Sequence, residues 1–327
     1  MRFVILLLLV ASTTSTRAIA QCACPARDAV IIGHRGAGTS DGVSSENTIE
    51  SANEAILEGA DVIEVDARRT ADGVVVLMHD AKVDRTTDGF GCLGEMTFEE
   101  VAALDAGGGA RVPTLAEFLD EIRGRVHIEV KLEDADVCPA DDAETLTDAV
   151  LADVVDAGAI DRVTLSSFSI DVGRRVVATH PAVAFALLTT RTRDVDRAVD
   201  EGSAAVHFEF ASITDRAIRR ARRAGLRFEV WTVNGATDLL EALEEGVDGV
   251  ITDTVDEAVA AREAYCDSYL CPDELARRLV SCRVSPRASA PFGVVVALLF
   301  GCLVRRRVRR RVPAPPRAPL VIAGDFP

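Results

Sequence analysis

Positive charge is in short supply in this chain: 36 lysines and arginines stand against 52 aspartates and glutamates, a formal net charge of −16. The deficit is concentrated in the middle. With the two arginines of the first twenty residues, the nine arginines beyond position 282 and Asp325 set aside, 25 basic residues remain against 51 acidic ones, about −26. Such a surface repels nucleic acid and anionic lipid by long-range Coulomb forces, and it suits a small, soluble or metal-bridged substrate. No glycine-rich dinucleotide turn follows the first strand-like run, and no internal repeat is present. Histidine is scarce too, with five in 327 residues, so the position of each one carries information.

Both ends read as addresses rather than as fold. Residues 1–20 place Arg2 before an apolar run at 3–10 and a Ser/Thr-rich stretch closing in Ala18-Ile19-Ala20, the order of a secretory signal cleaved after Ala20. The residues before Cys22 do not form a lipobox. Residues 288–304 contain no charge and run into Arg305, Arg306, Arg307, Arg309, Arg310 and Arg311. Seventeen residues is the short limit for a membrane span, and an arginine flank faces the cytoplasm. The expectation is an exported protein, at the cell surface, in the periplasm or secreted, and anchored in the membrane by this tail. A basic tail with a chance apolar patch is the alternative. The organisation is then a signal at 1–20, one domain at 21–270, a linker at 271–287, the hydrophobic segment at 288–304 and a basic tail at 305–327.

Through the domain, short apolar, β-branched runs at 29–34, 61–66, 74–79, 125–131, 162–167, 183–188, 204–208, 227–233 and 248–252 alternate with helical patterns. The clearest of these helices lie at 46–58, 114–122, 143–157, 214–224, 238–245 and 255–264. Alternation of this kind implies parallel strands with crossover helices, and its extent predicts an α/β fold of the (β/α)8 TIM-barrel type. Nine runs are one too many, and the seven residues between 66 and 74 are too few for a crossover helix. The barrel is therefore expected to be irregular in its first strands; a doubly wound open sheet is the alternative. Residues 80–112, rich in glycine, read as a long loop on the active face with one short helix.

Eight cysteines in an exported chain suit disulfides. Cys22 and Cys24 precede the first strand, Cys266 and Cys271 follow the last helix, and in a closed barrel those ends are neighbours, so cross-links between the two pairs are expected. Cys92 and Cys138 follow strand ends on one barrel face and are candidates to pair. A zinc site from Cys22-x-Cys24 and Cys266-x4-Cys271 is the alternative, with poor spacing.

Active sites of such barrels lie at the C-terminal strand ends, and the polar residues there form a coherent set. The first run ends in His34-Arg35-Gly36, and Glu46-Asn47-Thr48 opens the next helix. The second ends in Glu64-Val65-Asp66, the third in His79-Asp80, the fourth in His127-Ile128-Glu129-Val130-Lys131. Side chains alternate along a strand, so Glu64 and Asp66 share one face, as do His127, Glu129 and Lys131. The apolar faces belong against the helices, which leaves the charged ones in the barrel mouth. Three converging carboxylates repel one another unless a cation is bound, and oxygen ligands favour Ca²⁺ or Mg²⁺. His127 lies below Glu129, outside direct contact with a metal; His207 reads as a strand or core residue and His180 as a loop residue.

At this point the sequence resembles the glycerophosphodiester phosphodiesterase family. The resemblance runs in order from about 29 to 260, through His34-Arg35-Gly36, Glu46-Asn47-Thr48, Glu64-Val65-Asp66, His79-Asp80, Arg85-Thr86-Thr87-Asp88-Gly89, Pro113-Thr114-Leu115, Glu129-Val130-Lys131, Ser166-Ser167-Phe168, Trp231-Thr232-Val233-Asn234 and Gly249-Val250-Ile251-Thr252-Asp253. It implies Glu64, Asp66 and Glu129 as ligands of one divalent metal ion, with Glu46 close to or among them. It implies His34 and His79 as the acid/base pair, Arg35, Lys131 and Asn47 as substrate or phosphate contacts, and Phe168 and Trp231 as walls for the alcohol moiety. Thr254 and Val255 replace a proline usual in the family, which bears only on the start of the last helix. The stretch between His79 and Glu129 is short for the family, and an open site tolerant of several head groups is expected. The implied activity is metal-dependent hydrolysis of glycerophosphodiesters to sn-glycerol 3-phosphate and an alcohol. Two alternatives stay open: a phospholipase C-like or sphingomyelinase D-like lipid phosphodiesterase, and a non-catalytic surface binding module.

Overall fold

Eight of the nine strand-like runs close into a parallel barrel, and the odd one is the third. The protein is described by a computed structural model, which covers residues 24–38, 45–132, 137–139 and 141–269. The signal segment, Cys22, Cys271, the 288–304 segment and the basic tail lie outside the described residues. Among the described residues no helix is long and apolar enough to cross a membrane.

The barrel strands are β1 (Val30–Gly33), β2 (Val62–Arg69), β4 (Arg125–Val130), β5 (Val163–Ser167), β6 (Ala184–Thr189), β7 (Ala205–Glu209), β8 (Arg227–Trp231) and β9 (Gly249–Thr252). Each pairs in parallel with its neighbours, and β1 joins both β2 and β9 to close the ring. The open-sheet alternative is thereby excluded. β3 (Val75–Leu77) is antiparallel to the end of β2, with Ala67 opposite Leu77, so the pair is a hairpin grafted onto the barrel rim. That resolves the surplus run: seven residues suffice for a hairpin, not for a crossover.

The crossovers carry the expected caps. In α1 (Ile49–Glu58) Thr48 accepts the Ser51 N–H, and Gly59 ends the helix in the left-handed region. Helix α2 (Phe98–Ala102) is the one short α-helix of the 80–112 loop, and like α3 (Leu115–Glu121) it begins with a reciprocal capping box, Thr97 with Glu100 and Thr114 with Glu117. Further round lie α4 (Ala143–Asp156), α5 (Ile170–Thr179), α6 (Asp194–Asp200), α7 (Asp215–Ala224), α8 (Ala236–Glu245) and α9 (Val255–Ser268).

The outward strand faces bury Ile63, Val65, Val126, Ile128 and Val130 against these helices in one continuous core that includes Phe118, Phe185, Phe208 and Phe228. Full burial of each such side chain stabilises the fold by roughly 1.5–3 kcal/mol. The loop at 80–112 has a separate small core of Val76, Met78, Val83, Leu93, Val101, Ala106 and Val112, which explains how a glycine-rich segment holds a defined shape beside the barrel mouth. Among the described residues two disulfides are present, Cys24–Cys266 and Cys92–Cys138. The first ties the chain ahead of β1 to the last helix; the second ties the 80–112 loop to the segment after β4. Both agree with the expected pairing, and neither Cys24 nor Cys266 is a zinc ligand.

Candidate active site

The site begins with a tight turn after β1. Arg35 has φ 57° and Gly36 φ 97°. A side chain at Gly36 would meet Ser51 Oγ at 2.3 Å, so only glycine lets the turn approach α1 this closely. Ser51 in return donates to the Arg35 carbonyl and accepts the Ala37 N–H. The turn aims His34 and Arg35 over the barrel mouth, and the Arg35 main-chain N–H donates to Glu64 Oε2 at 3.0 Å.

β2 and β4 supply the carboxylates. Asp66 and Glu129 are directly opposite in the parallel register, and Glu64 lies two residues below Asp66. Oxygens of Glu64, Asp66 and Glu129 all lie within 4.8 Å of one another, each residue nearly or fully buried. Burial, then the charge of Asp66, pushes Glu64 up to about 8. Burial also raises Glu129. Burial alone would raise Asp66 as well, but the charges of Lys131 and Arg35 hold it well below the usual carboxylate range. Lys131 Nζ sits 2.8 Å from Glu129 and 3.2 Å from Asp66. A trio of crowded, buried oxygen donors fits a hard divalent cation.

His34 and His79 are held alike. His34 Nδ1 is 2.6 Å from Asp253 Oδ1, and His79 Nδ1 is 2.7 Å from Asp80 Oδ1. An Nδ1–H donated to a carboxylate fixes the tautomer and leaves Nε2 for chemistry. The environments then diverge. Burial disfavours charge on both, but for His34 the hydrogen bond to Asp253 and the charge of Glu64 outweigh it and raise the pKa, whereas at His79 burial prevails and lowers it.

These groups share one cavity of about 130 Å³, lined by His34, Arg35, Glu64, His79, Glu129 and Lys131, with Phe168 and Trp231 on its apolar side. The two rings meet edge to face, centroids 5.6 Å apart, and Phe168 is half exposed. Eight of the expected residues therefore converge around one space, with Asp66 behind them.

Two do not. Glu46 lies outside the carboxylate trio: its oxygens accept from Arg35 Nη1 at 3.0 Å and from Arg85 Nη1 and Nη2 at 2.8 and 2.6 Å. Asn47 does not reach the cavity either. Its side chain is engaged with Asp66 on both sides, Nδ2 donating to Oδ2 and Oδ1 accepting the Asp66 N–H, each at 2.9 Å. Both residues serve the site by holding its members in place.

Residue types alone did not reveal several supports. Arg85 spans Glu46 and Asp80, donating to Asp80 through Nε at 2.6 Å, so it braces the partner of His79. Arg68 donates twice to the His79 carbonyl, and burial lowers its pKa to about 10. Asn234 donates to Asp253 Oδ2 at 2.7 Å and accepts the Asp253 N–H, bracing the partner of His34. Arg85, Asn234 and Asp253 all stood within motifs already noted, which was the available signal. His127 points inward below Glu129, and burial pushes it down to about 4.

The sequence matches the family model described as "Glycerophosphoryl diester phosphodiesterase family" over residues 34–257. It is 31% identical over 236 residues to a glycerophosphodiester phosphodiesterase of Caldanaerobacter subterraneus subsp. tengcongensis, covering 68% of this chain and 93% of that one. The crystal structure of a glycerophosphodiester phosphodiesterase from Agrobacterium tumefaciens superposes with TM-score 0.61 at 29% identity, covering 71% of this chain and 99% of that one. An Oleispira antarctica phosphodiesterase, solved in complex with the product sn-glycerol-3-phosphate, shares the fold at TM-score 0.65 and 23% identity, over 72% of this chain and 96% of that one.

Proposed function

The chain belongs to the glycerophosphodiester phosphodiesterase family and hydrolyses glycerophosphodiesters, and we propose that it does so with His79 as general base and His34 as general acid. The observation that carries this reading is that both imidazoles, each with Nδ1 held by an aspartate, face one cavity together with Glu64, Glu129 and Lys131. Glu64, Asp66 and Glu129 would hold one divalent ion, Ca²⁺ or Mg²⁺ for an all-oxygen donor set, which would neutralise the phosphodiester and polarise its oxygens.

The remaining work falls to this chain's side chains. Arg35 and Lys131 present positive charge where negative charge grows on the phosphoryl oxygens. His79 Nε2 takes the proton of the attacking hydroxyl, a water or the neighbouring glycerol hydroxyl. As the bond from phosphorus to the alcohol oxygen breaks, His34 Nε2–H protonates that oxygen. Each proton transfer typically contributes about 10²–10⁴-fold. The opposed pKa directions of the two histidines suit this division. The half-exposed Phe168 at the cavity's edge supports tolerance toward several alcohol head groups.

The deciding experiment follows release of glycerol 3-phosphate from glycerophosphocholine with Ca²⁺, Mg²⁺ or chelator, alongside intact phospholipid. Turnover that needs metal and is lost in both His34→Ala and His79→Ala supports the mechanism. Wild-type-like activity in either folded variant removes it, and preference for intact phospholipid reassigns the substrate. We also propose export, supported by two disulfides that persist best in an oxidising compartment. Recovery of the mature protein outside the cytoplasm, beginning at Gln21, tests it.

A further inference from the structure

Beneath the carboxylate trio, the barrel interior holds a second set of donor side chains that the proposed chemistry does not use. His127 on β4, His207 on β7 and Glu229 on β8 are 7%, 1% and 2% exposed. One donor atom from each lies within 4.8 Å of the other two. Glu229 Oε2 is 3.0 Å from His207 Nε2 and 3.5 Å from His127 Nδ1, and the two imidazoles stack with centroids 5.0 Å apart. Despite this proximity, none of the three atoms makes an aligned hydrogen bond. Buried polar atoms left in this way at one point are rare in a folded protein, and only the 3.0 Å contact of Glu229 with His207 offsets the water they have lost. The other oxygen of Glu229 is engaged, accepting from Arg227 Nε at 2.9 Å, which leaves Oε2 turned to the imidazoles.

We propose that His127, His207 and Glu229 form a second metal site, distinct from the carboxylate trio, that takes a borderline divalent ion such as zinc. Tetrahedral zinc with bonds of about 2.0–2.2 Å holds neighbouring donors about 3.4 Å apart, close to the two separations seen here. Two imidazoles and one carboxylate favour zinc or a neighbouring transition metal over Ca²⁺ and Mg²⁺, whereas the all-oxygen trio favours the reverse. In strand order β4 and β8 are diametrically opposed, with three strands between them on either side, so a bound ion clamps opposite barrel walls. His207 also lines the catalytic cavity, which gives an ion a path to the site.

The test uses the full-length protein, its free thiols alkylated, stripped with chelator and titrated with Co²⁺ in excess Ca²⁺ and Mg²⁺ to fill the trio. The expected result is about one equivalent of bound Co²⁺ with the intense visible absorption of four-coordinate cobalt, displaced by Zn²⁺. His207→Gln and Glu229→Gln lose the band, while the double variant Glu64→Gln, Asp66→Asn keeps it. The proposal is overturned if wild type binds no cobalt under these conditions, if the band vanishes in the double variant, or if it survives in folded His207→Gln and Glu229→Gln. Should those two single variants fail to fold, wild type and the double variant still decide: a band kept in both supports the site, and a band lost in the double variant overturns it. Absence of cobalt in wild type would mean that the cluster shares a proton instead.

Discussion

Asn47 and Asp66 hold each other through two hydrogen bonds of 2.9 Å, side-chain amide to carboxylate and main-chain N–H to side-chain carbonyl. Asn47 can take this position because it sits at φ 60°, a region that asparagine tolerates better than most residues. Its own N–H donates to the Arg35 carbonyl, so one residue couples the turn after β1 to the carboxylate on β2. Asn47→Ala frees Asp66 to rotate. The metal concentration for half-maximal activity is expected to rise about 10–100-fold, with much of kcat recovered at saturating metal. A raised KM for glycerophosphocholine with unchanged metal response would instead make the amide a substrate contact.

The opposed environments of the two histidines predict a bell-shaped pH profile of kcat/KM. His79 must be neutral to accept a proton, and its pKa lies below the ordinary 6.5, so activity rises through a limb below that value. His34 must be protonated to donate, and its pKa lies above 6.5, so activity falls through a limb above it. Asp253→Asn removes the negative charge that strengthens the bond to His34 and helps raise it, and the alkaline limb should move to lower pH while the acid limb stays. If the acid limb moves instead, the two roles are exchanged.

The barrel was legible because each strand alternates: Ile63 and Val65 pack outward while Glu64 and Asp66 turn in, and the same parity sorts Val126, Ile128 and Val130 from His127 and Glu129. The surplus run, too, was visible as a gap too short for a helix, and β3 fills it as a hairpin. What stayed hidden were pairings made by folding alone. Arg85 meets Glu46 across 39 residues and His34 meets Asp253 across 219, and no local pattern encodes either. The family resemblance implied Glu46 close to or among the metal ligands and Asn47 among the substrate contacts; in the fold Glu46 is held by Arg35 and Arg85, and Asn47 by Asp66.

The two disulfides should differ in effect. Cys24–Cys266 closes a sequence separation of 242 residues far from the chemistry. Cys24→Ser with Cys266→Ser is expected to lose roughly 2–5 kcal/mol of stability, read by denaturant unfolding, with kcat unchanged at low temperature. Cys92–Cys138 anchors the loop beside Ala81, next to the Asp80 that orients His79. Its removal should lower kcat/KM as well as stability, and equal catalytic effects from both pairs would contradict this division.

Arg85 gives the sharpest test of support at a distance, because it does not line the cavity yet joins two parts of the site. One guanidinium grips both Glu46 oxygens and both Asp80 oxygens, and Asp80 in turn holds His79 Nδ1. A lysine keeps the charge but has no planar fork to bridge two carboxylates, so Arg85→Lys should release one of them. Since misplacing a catalytic group by about 1 Å costs on the order of 10²-fold, kcat should fall by roughly that factor while KM changes little. The effect should run through His79: in Arg85→Lys, adding His79→Ala lowers kcat by far less than it does in wild type. Full additivity of the two losses would show that Arg85 acts elsewhere, through Glu46 and the turn that carries Arg35.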